Sequence, residues 1–172
     1  MIHSAQFEDW VPFKVERVFL FFTNPQNLPR IMPPITDTRI DGLRLIAPPP
    51  SPSPIHAESS LAGVGSELET SFRLLPYFPL RAKWIARITE FEWNHHFADI
   101  QVRGPFRSWH HRHEMSSEVR EGVEGTMVRD RVEYEVGWGW FGELAQPILS
   151  KQIEGTFQHR QRILPDLLRS AR

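Results

Sequence analysis

Between residues 125 and 136 the side chains alternate with a period of two. Thr126, Val128, Asp130, Val132 and Tyr134 fall on one side, and Met127, Arg129, Arg131, Glu133 and Glu135 on the other. That is the pattern of a strand with one buried and one solvated face. The stretch 107–118 splits in the same way, with Trp109, His111, His113 and Met115 opposite His110, Arg112, Glu114 and Ser116. Residues 5–11 also alternate, and Pro12 stops that strand and can sit in the first turn of a helix. Further strands are predicted at 36–47, 64–75, 80–92 and 96–103. The breaks between strands are Pro76 to Pro79, Trp93-Asn94-His95, Gly104-Pro105 and Glu121 to Gly125. Each of these breaks is short, so the strands from residue 64 to 136 form an antiparallel meander.

Two segments follow a helical period instead. Val15, Val18, Phe19 and Phe22 keep the i, i+3, i+4, i+7 spacing of an amphipathic helix, ended by Asn24-Pro25. A second short helix is expected from Pro25 to Met32. Leu149, Ile153, Phe157, Leu164 and Leu168 form one stripe of a long C-terminal helix, which Pro165 should kink or interrupt. The expected class is therefore α+β: a curved seven-stranded antiparallel sheet, two short helices after strand 1, and a long helix that buries its stripe against the concave face. If the sheet curves enough, a cavity remains between helix and sheet.

Composition narrows the function. The 172 residues suit one domain spanning 1–172, and the Pro-rich run at 48–54 is a stiff loop within it rather than a linker. There is no cysteine, which excludes disulfides, thiol catalysis and thiolate metal sites. A net charge of −1 gives no basic face for nucleic acid. The N-terminus lacks a signal-peptide pattern, and the longest apolar run, Val18 to Phe22, is too short to span a bilayer. A cytoplasmic monomer or homodimer with no integral membrane segment is expected. Six Trp and twelve Phe supply rings that fill cores and line apolar pockets.

The inner faces carry the candidate chemistry. His111 and His113 point inward with Trp109, and Asp130 is a carboxylate among apolar neighbours that needs a partner or a proton. The hairpin between the two strands brings Asp130 towards one of the histidines. Arg160 lies on or near the stripe of the last helix, where it binds an acidic group of the ligand, pairs with Asp130 or Asp99, or snorkels to the surface. Strand 80–92 turns Trp84, Ala86 and Ile88 inward. Strand 96–103 is ambiguous: hydrophobicity places Ala98, Ile100 and Val102 inside, and the other face carries Phe97, Asp99, Gln101 and Arg103. Trp138 and Trp140 either form a pocket lip or cover the N-terminus of the last helix. His111 and His113 form a His-x-His pair, but no second shell for an ion is legible, so neither metal nor cofactor is expected.

The chain resembles the START-like, or helix-grip, superfamily, which includes the birch-pollen allergen relatives and the bacterial polyketide cyclase/dehydrase and ligand-binding group. The resemblance rests on Val18 to Leu28, Trp84 to Thr89, Phe97 to Phe106, Trp109 to His113, Gly125 to Asp130, and Tyr134, in that order and spacing. It covers nearly the whole chain, apart from the loop at 48–54. It implies the helix-grip fold, a hydrophobic cavity, and an inward-facing Asp99 and Gln101. The ligand-binding candidates are then Trp84, Phe97, Asp99, Gln101, Trp109, His111, His113, Asp130, Tyr134, Phe157 and Arg160. Binding of a small, largely apolar molecule (a lipid, quinone, polyketide or similar) without catalysis is the leading expectation. The first alternative is a cyclase or dehydrase that uses His111 or His113 with Asp130. The second is a lipid or quinone chaperone for a membrane enzyme, which needs an exposed apolar cavity mouth near residues 25–34 and 138–148.

Overall fold

A computed structural model describes residues 1–52, 60–73, 80–137 and 140–170, the side chains of 140–143 excepted. The elements run β1 (Ile2–Val11), α1 (Val15–Thr23), α2 (Leu28–Ile31), β2 (Arg39–Arg44), β3 (Glu67–Arg73), β4 (Arg81–Glu92), β5 (His96–Arg103), β6 (Phe106–Arg120), β7 (Val123–Val136) and α3 (Trp140–Ser170). The sheet has seven antiparallel strands in the order β1-β7-β6-β5-β4-β3-β2. β2 to β7 form a meander, and the first strand closes on the last, with Phe7 opposite Asp130. Register shifts at Ile40/Gly42, Ile85/Ala86, Ile88/Glu90 and Phe106/Ser108 bend the strands. The concave face that results takes α3 and α1. This is the expected helix-grip architecture.

The buried core lies between α1, the C-terminal end of α3 and the strands: Val18 and Phe19 of α1 pack with Leu164, Leu168, Met115 and Val128. A second cluster joins Val132 and Tyr134 to Ile153 and Phe157, with Phe7 against it.

Four local expectations are corrected. α1 begins at Val15 after Lys14, so Pro12 precedes the helix and does not enter its first turn. The β6–β7 break is shorter than the expected Glu121 to Gly125: only Glu121 and Gly122 form it, both with positive φ (50° and 79°), as a tight two-residue turn requires. Gly125 lies in the strand, where a Cβ would meet the Trp10 ring at 2.5 Å. Met127, which alternation places on the charged outer face, is buried and paired across the ladder with Trp10. Pro165 does not end α3. The helix continues to Ser170 because Leu164 and Leu168, both fully buried, hold it in the core on either side of the missing backbone donor. Pro147 also sits inside it.

The described part of the Pro-rich loop is anchored. Trp93 Nε1 donates to the Pro49 carbonyl at 2.8 Å, and Gly63 packs so closely on Pro48 that no side chain would fit there. The break at 76–79 lies outside the described residues.

Candidate functional site

Between the concave face and α3 lies a cavity of about 570 Å³. Its walls come from every layer: Phe22 of α1, Ile31 of α2, Trp84, Ala86 and Ile88 of β4, Phe97 of β5, Trp109 of β6, and Leu149, Ile153 and Phe157 of α3. The sheet residues reach it because strand parity sends every second side chain to the concave side. At one end the rings interlock. Trp84 meets Trp109 edge-on at 5.0 Å, and Phe106 lies 5.1 Å from Trp109.

Three titratable residues, Asp99, His111 and His113, gather on the β5–β6 wall. Asp99 is opposite His111 in the β5–β6 ladder, and His113 is opposite Asp130 in the β6–β7 ladder. His111 Nε2 donates to Asp130 Oδ1 at 3.0 Å. His113 Nδ1 lies 2.7 Å from the same oxygen but off the line of a hydrogen bond. Arg160 closes the other side of Asp130, with Nη1 3.2 Å from Oδ1 and Nη2 on Oδ2. Its guanidinium sits 4.6 Å from the centre of the Phe157 ring and 5.2 Å from that of Phe22. Arg160 does not snorkel to the surface: it is buried and paired with Asp130 while also lining the cavity.

The charges follow from this packing. Burial alone would raise the pKa of Asp130, but Arg160 and the two histidines hold it well below the ordinary carboxylate value of 3.8. Asp130 is therefore ionised and can only accept, which places the His111 proton on Nε2 and leaves Nδ1 with a lone pair. Burial, then the neighbouring His113, lowers the pKa of His111 below 6.5 and keeps its ring neutral. Asp99 has no arginine partner among the described residues, and burial raises its pKa.

Trp84, Phe97, Asp99, Trp109, His111, His113, Phe157 and Arg160 all line the cavity. Three other candidates do not. Asp130 stands behind the histidines, under Arg160. Gln101 uses its amide on the Phe106 backbone, donating to the carbonyl at 2.7 Å and accepting from the N–H at 3.2 Å, so it clamps the β5–β6 turn. Tyr134 packs in the core behind Phe106, and its hydroxyl accepts from Gln146 at 3.3 Å. The register of β5 follows Phe97 and Asp99, and Val102 is exposed. Ala98 is nonetheless buried, flanked in the ladder by Glu90 and Arg112, which form an ion pair with each other. Trp138 lies outside the described residues, as does the Trp140 side chain.

Asp9 is absent from the sequence-derived candidates. It shares the inner face of β1 with Phe7 and Val11, a parity that is legible. Burial raises its pKa while the Arg160 charge lowers it. On the α1–α2 side the cavity is lined by Phe21, Leu28 and Met32, of which Leu28 and Met32 fall in the 25–34 segment expected at a cavity mouth and Phe21 is a second omission.

The sequence matches no family model and no curated protein. Solved structures share its fold. The protein TTHA0849 from Thermus thermophilus is 14% identical, with a TM-score of 0.66 over 98% of this chain and 99% of that one. A norcoclaurine synthase point mutant from Thalictrum flavum, in complex with a transition-state analogue, is 15% identical, with a TM-score of 0.61 over 99% and 98%. Major latex-like protein 151 from Panax ginseng is 13% identical, with a TM-score of 0.60 over 96% of each. The START-like resemblance therefore holds at the level of fold. Among the described residues, no helix is long and apolar enough to cross a membrane.

Proposed function

We propose that the protein binds one small, largely apolar molecule in the cavity between the sheet and α3. The observation that carries this reading is the cavity itself. Its volume of about 570 Å³ falls within the size of small-molecule sites, and its lining is mostly aromatic and aliphatic, with a cluster of Asp99, His111, His113 and Arg160 on one side. The apolar walls supply the driving force, and the polar wall orients one end of the ligand. Ala86 projects from the middle of the sheet into this space. Ala86→Phe is expected to weaken binding of an apolar fluorescent probe at least about tenfold while changing stability by less than about 1.5 kcal/mol, since it fills open volume instead of overpacking a core. Probe titration and urea unfolding check both parts. Unchanged probe affinity in a folded variant removes the cavity as the binding site.

A second reading is acid–base chemistry on a carbonyl-rich substrate, with His111 or His113 as base and Asp130 as orienter. The 3.0 Å hydrogen bond from His111 to Asp130 favours it, because it leaves the Nδ1 lone pair towards Asp99 and the cavity. On this reading His111→Gln abolishes turnover of the substrate while unfolding stays cooperative, and retained turnover removes His111 as the base.

A further inference from the structure

Asp99, His111 and His113 present three donor atoms to one point on the cavity wall. Asp99 Oδ2 is 3.9 Å from His111 Nδ1 and 4.0 Å from His113 Nε2, and the three residues each offer a ligand atom within 4.8 Å of the other two. None of these three atoms makes a hydrogen bond among the described residues. The separations are too long for direct bonds and somewhat longer than the roughly 3.4 Å between neighbouring ligands of a four-coordinate ion with bonds of about 2.0–2.2 Å. Side-chain shifts of about half an ångström would bring the two Asp99–histidine separations to that value.

The second shell that the sequence does not reveal is present. Asp130 accepts a hydrogen bond from the far nitrogen of His111 at 3.0 Å and lies 2.7 Å from the far nitrogen of His113, though off the line of a hydrogen bond, and Arg160 holds Asp130 in place. A carboxylate behind a metal-binding imidazole fixes its tautomer and raises its basicity. The local charge points the same way. Arg160 is matched by Asp130, so the Asp99 carboxylate faces two imidazole nitrogens rather than a cationic side chain. His113 is further fixed by stacking on Phe97 at 4.3 Å.

We propose that Asp99 Oδ2, His111 Nδ1 and His113 Nε2 bind one divalent transition-metal ion of the zinc class, with its remaining coordination positions open to the cavity. Two imidazoles and one carboxylate suit such an ion better than calcium or magnesium, which take oxygen ligands. The open positions would receive water or an oxygen of the cavity's occupant. An ion on His111 Nδ1 takes the lone pair that the acid–base reading needs, so its presence also decides against that reading. The site does not depend on the apolar ligand.

The test is equilibrium dialysis of chelator-stripped protein against Zn²⁺, with elemental analysis, in the absence of any apolar molecule. Visible absorption of Co²⁺-loaded protein reports whether imidazole enters the coordination sphere. One ion per chain is expected for the wild type, with affinity reduced at least about tenfold in Asp99→Asn and in His111→Gln. His95→Ala serves as a control for the exposed Glu92/His95/His96 group on the β4–β5 turn and should leave this binding unchanged. Asp99→Asn removes the unmatched charge, so the stripped variant is expected to fold with a melting temperature at or above that of the wild type and to be insensitive to Zn²⁺, whereas the wild type should be stabilised by the ion. No stoichiometric ion in the wild type, or undiminished binding in Asp99→Asn, overturns the proposal. Either result leaves the cavity-binding reading to its own probe titration.

Discussion

Arg160→Met is expected to lower the unfolding free energy by about 3–5 kcal/mol, because it strands a buried carboxylate. Arg160 and Asp130 are 5% and 2% exposed, so neither has water to replace its partner. The methionine keeps much of the packing against Phe157 and Phe22 and removes the charge, which isolates the electrostatic part. Adding Asp130→Asn to Arg160→Met should recover part of the loss, since removing both charges of a buried pair costs less than removing one. Urea unfolding at neutral pH measures both, and a single-variant loss below about 1 kcal/mol would contradict a buried pair.

The pH dependence has a defined sign. The folded pKa of Asp130 lies below its unfolded value, so its contribution is complete above the unfolded carboxylate range and is lost as pH falls through the folded pKa. His111 also has a lowered folded pKa, so the unfolded chain takes its proton first and stability declines as pH falls below 6.5. In Arg160→Met the Asp130 carboxyl loses the cation that depresses its pKa. The gap between wild type and variant should therefore narrow as the pH is lowered towards the carboxylate range.

Phe157→Ala should be comparably severe, at about 3–5 kcal/mol. The Phe157 ring lies parallel to Phe7 at 4.0 Å and 8°, and it meets His111 edge-on at 5.5 Å. It thus ties α3 to the first strand and supports the guanidinium of Arg160. Truncation opens a void next to an existing cavity and leaves Arg160 with one ring in place of two. Phe157→Leu retains most of the volume and should cost markedly less. Chemical denaturation of the two variants gives the comparison, and equal losses would show that the ring itself contributes nothing beyond its volume.

Much of this architecture is legible because strand and helix periods are local properties. Parity alone sends His111, His113 and Asp130 inward, and the 3.6-residue period carries Arg160 onto the buried stripe of α3 with Phe157 and Leu164. The seven strands and the helices are recognisable for the same reason. Parity says nothing about which residue of one strand faces which residue of another. That β1 closes on β7, bringing Phe7 onto Phe157 and Asp9 towards Arg160, is a long-range pairing with no local signal. Gln101 shares the parity of Asp99, yet the tight β5–β6 turn captures its amide. Asp99 meets two histidines only because the β5–β6 register sets it opposite His111. The alternation of apolar and polar residues thus determined the sheet, the helix and the inward-facing polar groups. The convergence of those groups on one wall depended on register and bulges, which only the folded sheet sets, since they depend on how distant strands align.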